Sequence, residues 1–294
     1  MPEATAQLNA VPLMSPSVGR GAELAVVVPT FNERDNVRAI TQALETALEG
    51  IRFEIVFVDD DSGDGTRDVM AELAEAKNNI RVIHRIGRRG LSTAVTEGML
   101  STTAPYIAVI DADLQHDETA LRPMLELLRA DEADLVVGSR YTEGGGVGSW
   151  DASRVRVSST ATKLARLITS TDTMSGFFAI TRQAFNNSVR ELSGQGYKIL
   201  LDIVASAPAP MRIREVPYQF RNRQAGESKL DALIIWEYLL LLVDKLVGHI
   251  VPARFLSFMF IGGLGVFVHM AVLSTLVAVQ YPPFLWAQAT ATGI

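Results

Sequence analysis

An α/β fold is predicted, with a mostly parallel central sheet, helices on both faces, and apolar helices that reach a membrane after it. Three observations carry this. Short apolar runs alternate with helical patterns at the spacing of strand–helix units. Carboxylates and glycines cluster where those runs end. From Phe255 to Ile294 there is no Asp, Glu, Lys or Arg, whereas charged residues are frequent before that.

The chain has 294 residues, room for one large domain and an appendage. Its hydrophobic share is 48% and its mean hydropathy +0.19, high for a purely soluble enzyme. The formal net charge of −6 argues against general nucleic-acid binding. With no cysteine, disulfides and thiolate metal sites are excluded. Residues 1–21 are rich in Ala, Pro and Ser, lack a basic start and an apolar run, and read as a disordered leader rather than a signal peptide.

Leu24–Val28 is the first expected strand, closed by Pro29-Thr30-Phe31-Asn32-Glu33. Val37, Ile40, Leu44 and Leu48 then recur at helical spacing, with Asn32 or Asp35 as the expected cap. Phe53–Val58 is the second strand, and Asp59-Asp60-Asp61-Ser62-Gly63-Asp64-Gly65-Thr66 follows it. Three adjacent carboxylates at a strand end are costly unless solvated or paired. Asp60 can be read as an acceptor for a sugar or base edge, or as part of a capped, solvated turn. Val69–Leu73 belongs to a helix and Arg81–Ile83 to a third strand. Gly90, Ala94 and Gly98 form a stripe that lets the next helix approach the sheet closely. Arg88 and Arg89 at its start suit a diphosphate.

Tyr106–Ile110 reads as a buried strand, and Asp111-Ala112-Asp113-Leu114-Gln115-His116 follows where it ends. Alternate strand residues face one side, so Asp111, Asp113 and Gln115 are expected to converge. Two carboxylates and an amide oxygen suit Mg²⁺ or Mn²⁺ carrying a diphosphate; a solvated acidic turn is the plainer reading. A haloacid-dehalogenase-type phosphatase also places Asp-x-Asp after an apolar strand, but normally at the start of the chain and with Thr or Val where Gln115 stands. A dinucleotide-binding fold is disfavoured because Gly63-Asp64-Gly65 continues with Thr66-Arg67-Asp68, without the third glycine.

A helix around Leu121–Leu128 and a strand over 135–140, ending in Arg140, come next. The Gly-rich loop 144–148 precedes a basic helical pattern in which Arg154 and Ser158 share a face, a combination that suits a membrane surface. Asp172 stands before the apolar run that starts at Phe177. Gly196–Val204 reads as a helix and Val216–Phe220 as a strand. Arg223 and Lys229 flank a flexible segment suited to closing over a phosphate. Asp231–Val251 reads as an interfacial helix, and Phe255–Val279 as a span in which Gly262, Gly263 and Gly265 suit helix–helix contact. The expected organisation is a leader over 1–21, a catalytic domain over 22–230, interfacial helices over 231–252 and a membrane segment over 253–294. The apolar run from Phe284 to Ile294 reads as cut inside a larger membrane domain.

Taken in order, six motifs resemble the family-2 glycosyltransferases, specifically the dolichol-phosphate mannose synthase-like branch. They are Val28–Glu33, Val58–Thr66, Asp111–His116, Gly138–Tyr141, Met174–Phe178 and Gly226–Lys229. Thr173 stands where that branch usually has Pro. Residues from about Arg254 onward resemble the start of a GtrA-type membrane domain. The resemblance implies a GT-A fold and inverting transfer of one hexose from a nucleotide-sugar, GDP-mannose or UDP-glucose, to a polyprenyl phosphate. It implies base and ribose contacts from Pro29, Phe31, Glu33 and Asp60, and a metal held by Asp111, Asp113 and Gln115. Acceptor-phosphate contacts fall to Arg140, Arg154 and Ser158, closure over phosphate to Arg223 and Lys229, and sugar orientation to Asp172. It also implies a catalytic domain on the cytoplasmic face of the inner membrane, and is compatible with a homo-oligomer formed through the membrane helices. A non-catalytic subunit of a lipid-linked sugar flippase is the reading from another class.

Overall fold

The computed structural model describes residues 21–140, 142, 146, 175–194, 198–221 and 253–278. The described residues fall into two units, a sheet domain and an apolar helix.

The sheet domain is built on seven strands: β1 (Leu24–Thr30), β2 (Phe53–Asp59), β3 (Ile80–His84), β4 (Tyr106–Val109), β5 (Leu135–Ser139), β6 (Phe178–Thr181) and β7 (Ile213–Pro217). Their order is β3-β2-β1-β4-β6-β5-β7. Every pairing is parallel except those of β6, which runs antiparallel to both β4 and β5. β1 is buried along its whole length, as befits a central strand covered on both faces. Its pairing with β2 on one side and β4 on the other makes it the point where the strand order reverses, and ligands in open α/β sheets bind in the crevice beyond the carboxyl ends at such a point.

The helices are α1 (Arg34–Ala47), α2 (Thr66–Ala76), α3 (Leu91–Ser101), α4 (Leu121–Arg129), α5 (Arg182–Ser188), α6 (Ile199–Ala205) and, in the second unit, α7 (Ala253–Ala278). Strand alternation divides the core into two layers. Val26, Val28, Ile55 and Phe57 meet α1, α2 and α4 through Ile40, Leu44, Met70 and Met124. Val27, Val56 and Val58 meet α3, α5 and α6 through Val95, Met99, Phe185 and Ile203. The small-residue stripe on α3 serves close packing: a Cβ on Gly98 would stand 2.5 Å from Val27 Cγ1 and 2.9 Å from Val58 Cγ2.

Four expectations change. Glu33, rather than Asn32 or Asp35, is the N-cap of α1, and its side chain makes no capping bond. Asn32 instead takes a left-handed φ of 56°, which its short amide tolerates. Strand β7 is displaced from Val216–Phe220 because its ladder with β5 stops at Ser139↔Pro217; beyond it, among the described residues, Gly146↔Gln219 forms an isolated bridge. α6 starts at Ile199, and Gly196 lies outside the described residues. Finally, β4 ends at Val109, so Asp111, Asp113 and Gln115 sit in a turn rather than on an extended strand.

Helix α5 was not anticipated. Arg182 at its start anchors it by donating to the Met99 carbonyl at 2.7 Å and the Ala104 carbonyl at 3.1 Å. Helix α7 exposes large apolar side chains such as Phe258, Phe260, Ile261 and Phe267, and its Phe258–Leu276 stretch is long and apolar enough to cross a membrane. Among the described residues, nothing beyond their own helix backbone lies within 4 Å of a Cβ position at Gly262, Gly263 or Gly265.

Candidate active site

The loops after β1 and β2 are knitted by side chains that accept from backbone N–H groups. Ser62 Oγ accepts from Asn32 N at 2.9 Å, Thr66 Oγ1 from Glu33 N at 2.9 Å, Asp64 Oδ2 from Arg34 N at 3.3 Å, and Asn32 Oδ1 from Gly63 N at 3.2 Å. The second loop thereby caps α1, satisfying donors that a helix start leaves open. Burial pushes the Asp64 carboxyl up, but bonds from the Thr66 hydroxyl and from the Thr66 and Arg34 N–H groups outweigh it and leave Asp64 below the ordinary carboxylate range. Pro29 and Thr30 end β1 against Val58 and Asp59, and Phe31 and Glu33 follow at the rim.

The three successive carboxylates each have a different environment. Asp59 is fully buried and accepts from Ser62 N at 3.0 Å and Ser62 Oγ at 2.5 Å. Asp60 is buried against Arg85, whose guanidinium donates to Oδ1, while Gly90 N donates to Oδ2 at 2.7 Å. Asp61 is the exposed one, and accepts from Gly87 N at 3.2 Å. The Asp60 carboxylate thus holds the loop that starts α3. Of the two arginines in that loop, Arg88 pairs with Glu97 at 2.6 Å and Arg89 lies over the Phe31 ring with Cζ 4.4 Å from its centroid.

The turn after β4 carries Asp111, Asp113 and Gln115, with Leu114 at a φ of 60°. Asp111 is half-exposed at the carboxyl edge. Asp113 is buried and accepts from Gln115 N at 3.1 Å. Gln115 ties the turn to the segment after β7: its Nε2 donates to the Arg221 carbonyl at 3.3 Å, and its own carbonyl accepts from Arg221 N at 2.8 Å. Gly176 stands beside Asp111, where a Cβ would lie 3.2 Å from Oδ2. Arg140, at the end of β5, lies over the Phe220 ring at 4.8 Å. His116 closes the group, with its ring 5.2 Å from Phe177, 5.4 Å from Tyr218 and 5.6 Å from Phe220.

The donor chemistry fits a hard divalent cation. The turn offers carboxylate and amide oxygens, and both nitrogens of the nearby His116 are engaged, with Asp111 and with Tyr218. Among the described residues there is no group of three or more His, Cys, Asp or Glu side chains placed to hold a metal ion. Asp172, Arg154, Ser158, Arg223 and Lys229 lie outside the described residues, as does the expected interfacial helix over 231–251. His116 is the site residue that the motif contained but sequence reasoning gave no task.

Residues 25–188 match the model of Glycosyl transferase family 2. A dolichol-phosphate mannosyltransferase of Pyrococcus furiosus is 34% identical over 267 residues, covering 88% of this chain and 74% of that one. Its counterpart in Saccharomyces cerevisiae is 37% identical, over 74% of this chain and 84% of its own length. That of Mycosarcoma maydis is 39% identical, over 75% and 78%. Among solved structures, glucosyl-3-phosphoglycerate synthase from Mycobacterium tuberculosis, in complex with Mn²⁺, UDP and glucosyl-3-phosphoglycerate, superposes with a TM-score of 0.56 at 16% identity, over 78% of this chain and 82% of that one. At that identity the likeness is one of fold.

Proposed function

The chain belongs to glycosyl transferase family 2, and from that premise we propose that it transfers one mannose from GDP-mannose to the phosphate of a polyprenyl lipid. The observation that carries the reading is the turn Asp111–Gln115 at the carboxyl end of β4, beside the strand where the sheet order reverses. That is where a diphosphate would meet the two carboxylates.

Asp111, Asp113 and Gln115 would hold Mg²⁺ or Mn²⁺ on the donor diphosphate. When bound, the ion neutralises the charge that develops on the leaving nucleoside diphosphate. Phe31, with Arg89 over its ring, together with Glu33 and with Pro29 at the end of β1, would carry the base and ribose. Asp60, held by Arg85 and Gly90, is assigned to the base with them. The nucleophile is a phosphate monoester oxygen, ionised at neutral pH, so positioning matters more than deprotonation. It forms a bond to the anomeric carbon as the bond to the diphosphate oxygen breaks, and the electron pair leaves with the nucleoside diphosphate. One in-line displacement inverts the anomeric centre. Arg140 is assigned to the acceptor phosphate together with Arg154 and Ser158, Arg223 and Lys229 to closure over phosphate, and Asp172 to the sugar.

Attachment to the membrane would come through α7, with the sheet domain over 22–230 on the cytoplasmic face, where nucleotide-sugars are made. Lys245 and Arg254 precede the apolar stretch and no Lys or Arg follows it to Ile294, in keeping with positive charge inside.

The test is transfer of labelled mannose to a short polyprenyl phosphate by Asp111→Asn and Asp113→Asn. Each removes a charge that acts on the leaving group, so rates should fall by about 10²–10³ with the melting temperature little changed. Near-normal transfer by either variant after EDTA washing would remove the metal assignment.

A further inference from the structure

His116 touches none of the reacting atoms in the mechanism above, yet it is buried and its two nitrogens point at two named partners. Nε2 lies 3.1 Å from Asp111 Oδ2 and Nδ1 lies 2.8 Å from the Tyr218 hydroxyl. Phe177, Tyr218 and Phe220 surround the ring and keep it from rotating. The direction of the chain of bonds follows from donor and acceptor capacity. An ionised Asp111 only accepts, so Nε2 carries a proton; in the neutral ring Nδ1 is then an acceptor, and the Tyr218 hydroxyl donates to it. A single neutral tautomer satisfies both contacts.

We propose that Tyr218 and His116 are positioning residues for the metal ligand Asp111: Tyr218 fixes the tautomer of His116, and His116 holds Oδ2 of Asp111 so that Oδ1 is presented to the cation. This rests on the reading of Asp111 as a ligand. Two further observations support it. Gly176 packs against the same carboxylate, where a Cβ would come within 3.2 Å of Oδ2 and 3.7 Å of Oδ1. Tyr218 is itself anchored, its N–H donating to the Ser139 carbonyl at 3.2 Å beside Arg140. The relay therefore connects the turn after β4 to the end of β5. Outer partners of this kind orient a ligand without binding the ion, and their loss typically weakens the metal by about 10–100-fold.

The experiment measures Mn²⁺ binding to the full-length protein in the presence of GDP, by the paramagnetic resonance signal of free Mn²⁺. GDP binding without metal is measured in parallel. His116→Phe should weaken Mn²⁺ by about 10–100-fold while metal-free GDP affinity stays the same. His116→Gln, which keeps an N–H near the position of Nε2, should recover most of the loss. Tyr218→Phe removes only a hydroxyl and keeps the packing; it should weaken Mn²⁺ by about threefold or more, short of the full loss of an outer partner. It also carries the test if His116→Phe does not fold. Wild-type Mn²⁺ affinity in Tyr218→Phe, or equal weakening of Mn²⁺ and metal-free GDP, would overturn the relay while leaving Asp111 as a ligand. Absence of GDP-dependent Mn²⁺ binding in the wild type would overturn both.

Discussion

Truncating Asp60 separates a structural clamp from a simple base contact. Arg85 is 2% exposed, and its guanidinium donates to Asp60, to the Gly90 carbonyl at 3.1 Å and to Thr93 Oγ1 at 2.6 Å. Asp60→Ala would leave that buried cation with neutral acceptors and with Glu97, whose carboxylate lies 3.3 Å from Nε but is 31% exposed. Breaking one side of a buried pair costs about 3–5 kcal/mol. Glu97 offsets part of this, so about 3 kcal/mol is expected here. For a domain of about 150–250 residues each kcal/mol shifts the melting temperature by about 2–4 °C, giving a fall of about 6–12 °C. The assay is thermal unfolding of the purified protein with and without GDP, with Asp61→Asn as the control. Asp61 is 44% exposed, and Asn tolerates its left-handed φ of 60° and keeps an acceptor for Gly87 N, so this change should alter stability by about 0.5 kcal/mol or less. If Asp60→Ala melts with the control when GDP is absent and loses only the GDP-induced shift, Asp60 is a ligand and the clamp is refuted.

Gly98→Ala forces a methyl against Val27 and Val58, side chains of two central strands. Overpacking of about 1–3 kcal/mol outweighs the gain of about 1 kcal/mol in helix propensity, so urea unfolding should show a destabilised protein; a stabilised one would contradict the close α3–sheet approach. Asp134 accepts from Arg212 Nη2 and from Arg212 N, both at 2.8 Å, and the bond from the Arg212 side chain, despite partial burial, holds its carboxyl below the ordinary value. A lowered folded value stabilises above the unfolded value of about 3.9, and the gain is lost as pH falls through the folded one. Melting temperatures of Asp134→Asn should therefore fall less steeply than wild type below about pH 4, and identical acid profiles would contradict this. Deleting Phe255–Ile294 should spare GDP binding and transfer to a water-soluble short acceptor but reduce transfer to long polyprenyl phosphates. Equal loss on both acceptors would dissociate α7 from lipid access.

The central strands were legible because a strand buried on both faces needs an apolar run, which Leu24–Val28 provides unbroken and Phe53–Val58 provides apart from Glu54. The close approach of α3 was legible from glycine spacing alone. β6 carried no sign of its antiparallel setting between β4 and β5, since the pairing joins Tyr106 to Thr181 and Leu135 to Ile180 across long separations. Strand alternation was the wrong argument for Asp111, Asp113 and Gln115, because Leu114 turns the backbone left-handed after β4 has ended. Asp60 was read by its motif, whereas its buried partner Arg85 comes from the next strand end. His116 was passed over for a similar reason: its tautomer is set by Tyr218, a residue no local pattern connects to it.

The most direct measurement offers the purified full-length protein GDP-mannose or UDP-glucose, each with a short polyprenyl phosphate, in Mn²⁺ or in EDTA, and follows the lipid product. The account predicts polyprenyl-phosphate mannose from GDP-mannose, dependent on the divalent ion and inverted at the anomeric carbon. Product from UDP-glucose alone would contradict the assigned donor, and no lipid product from either donor would contradict the transferase reading itself.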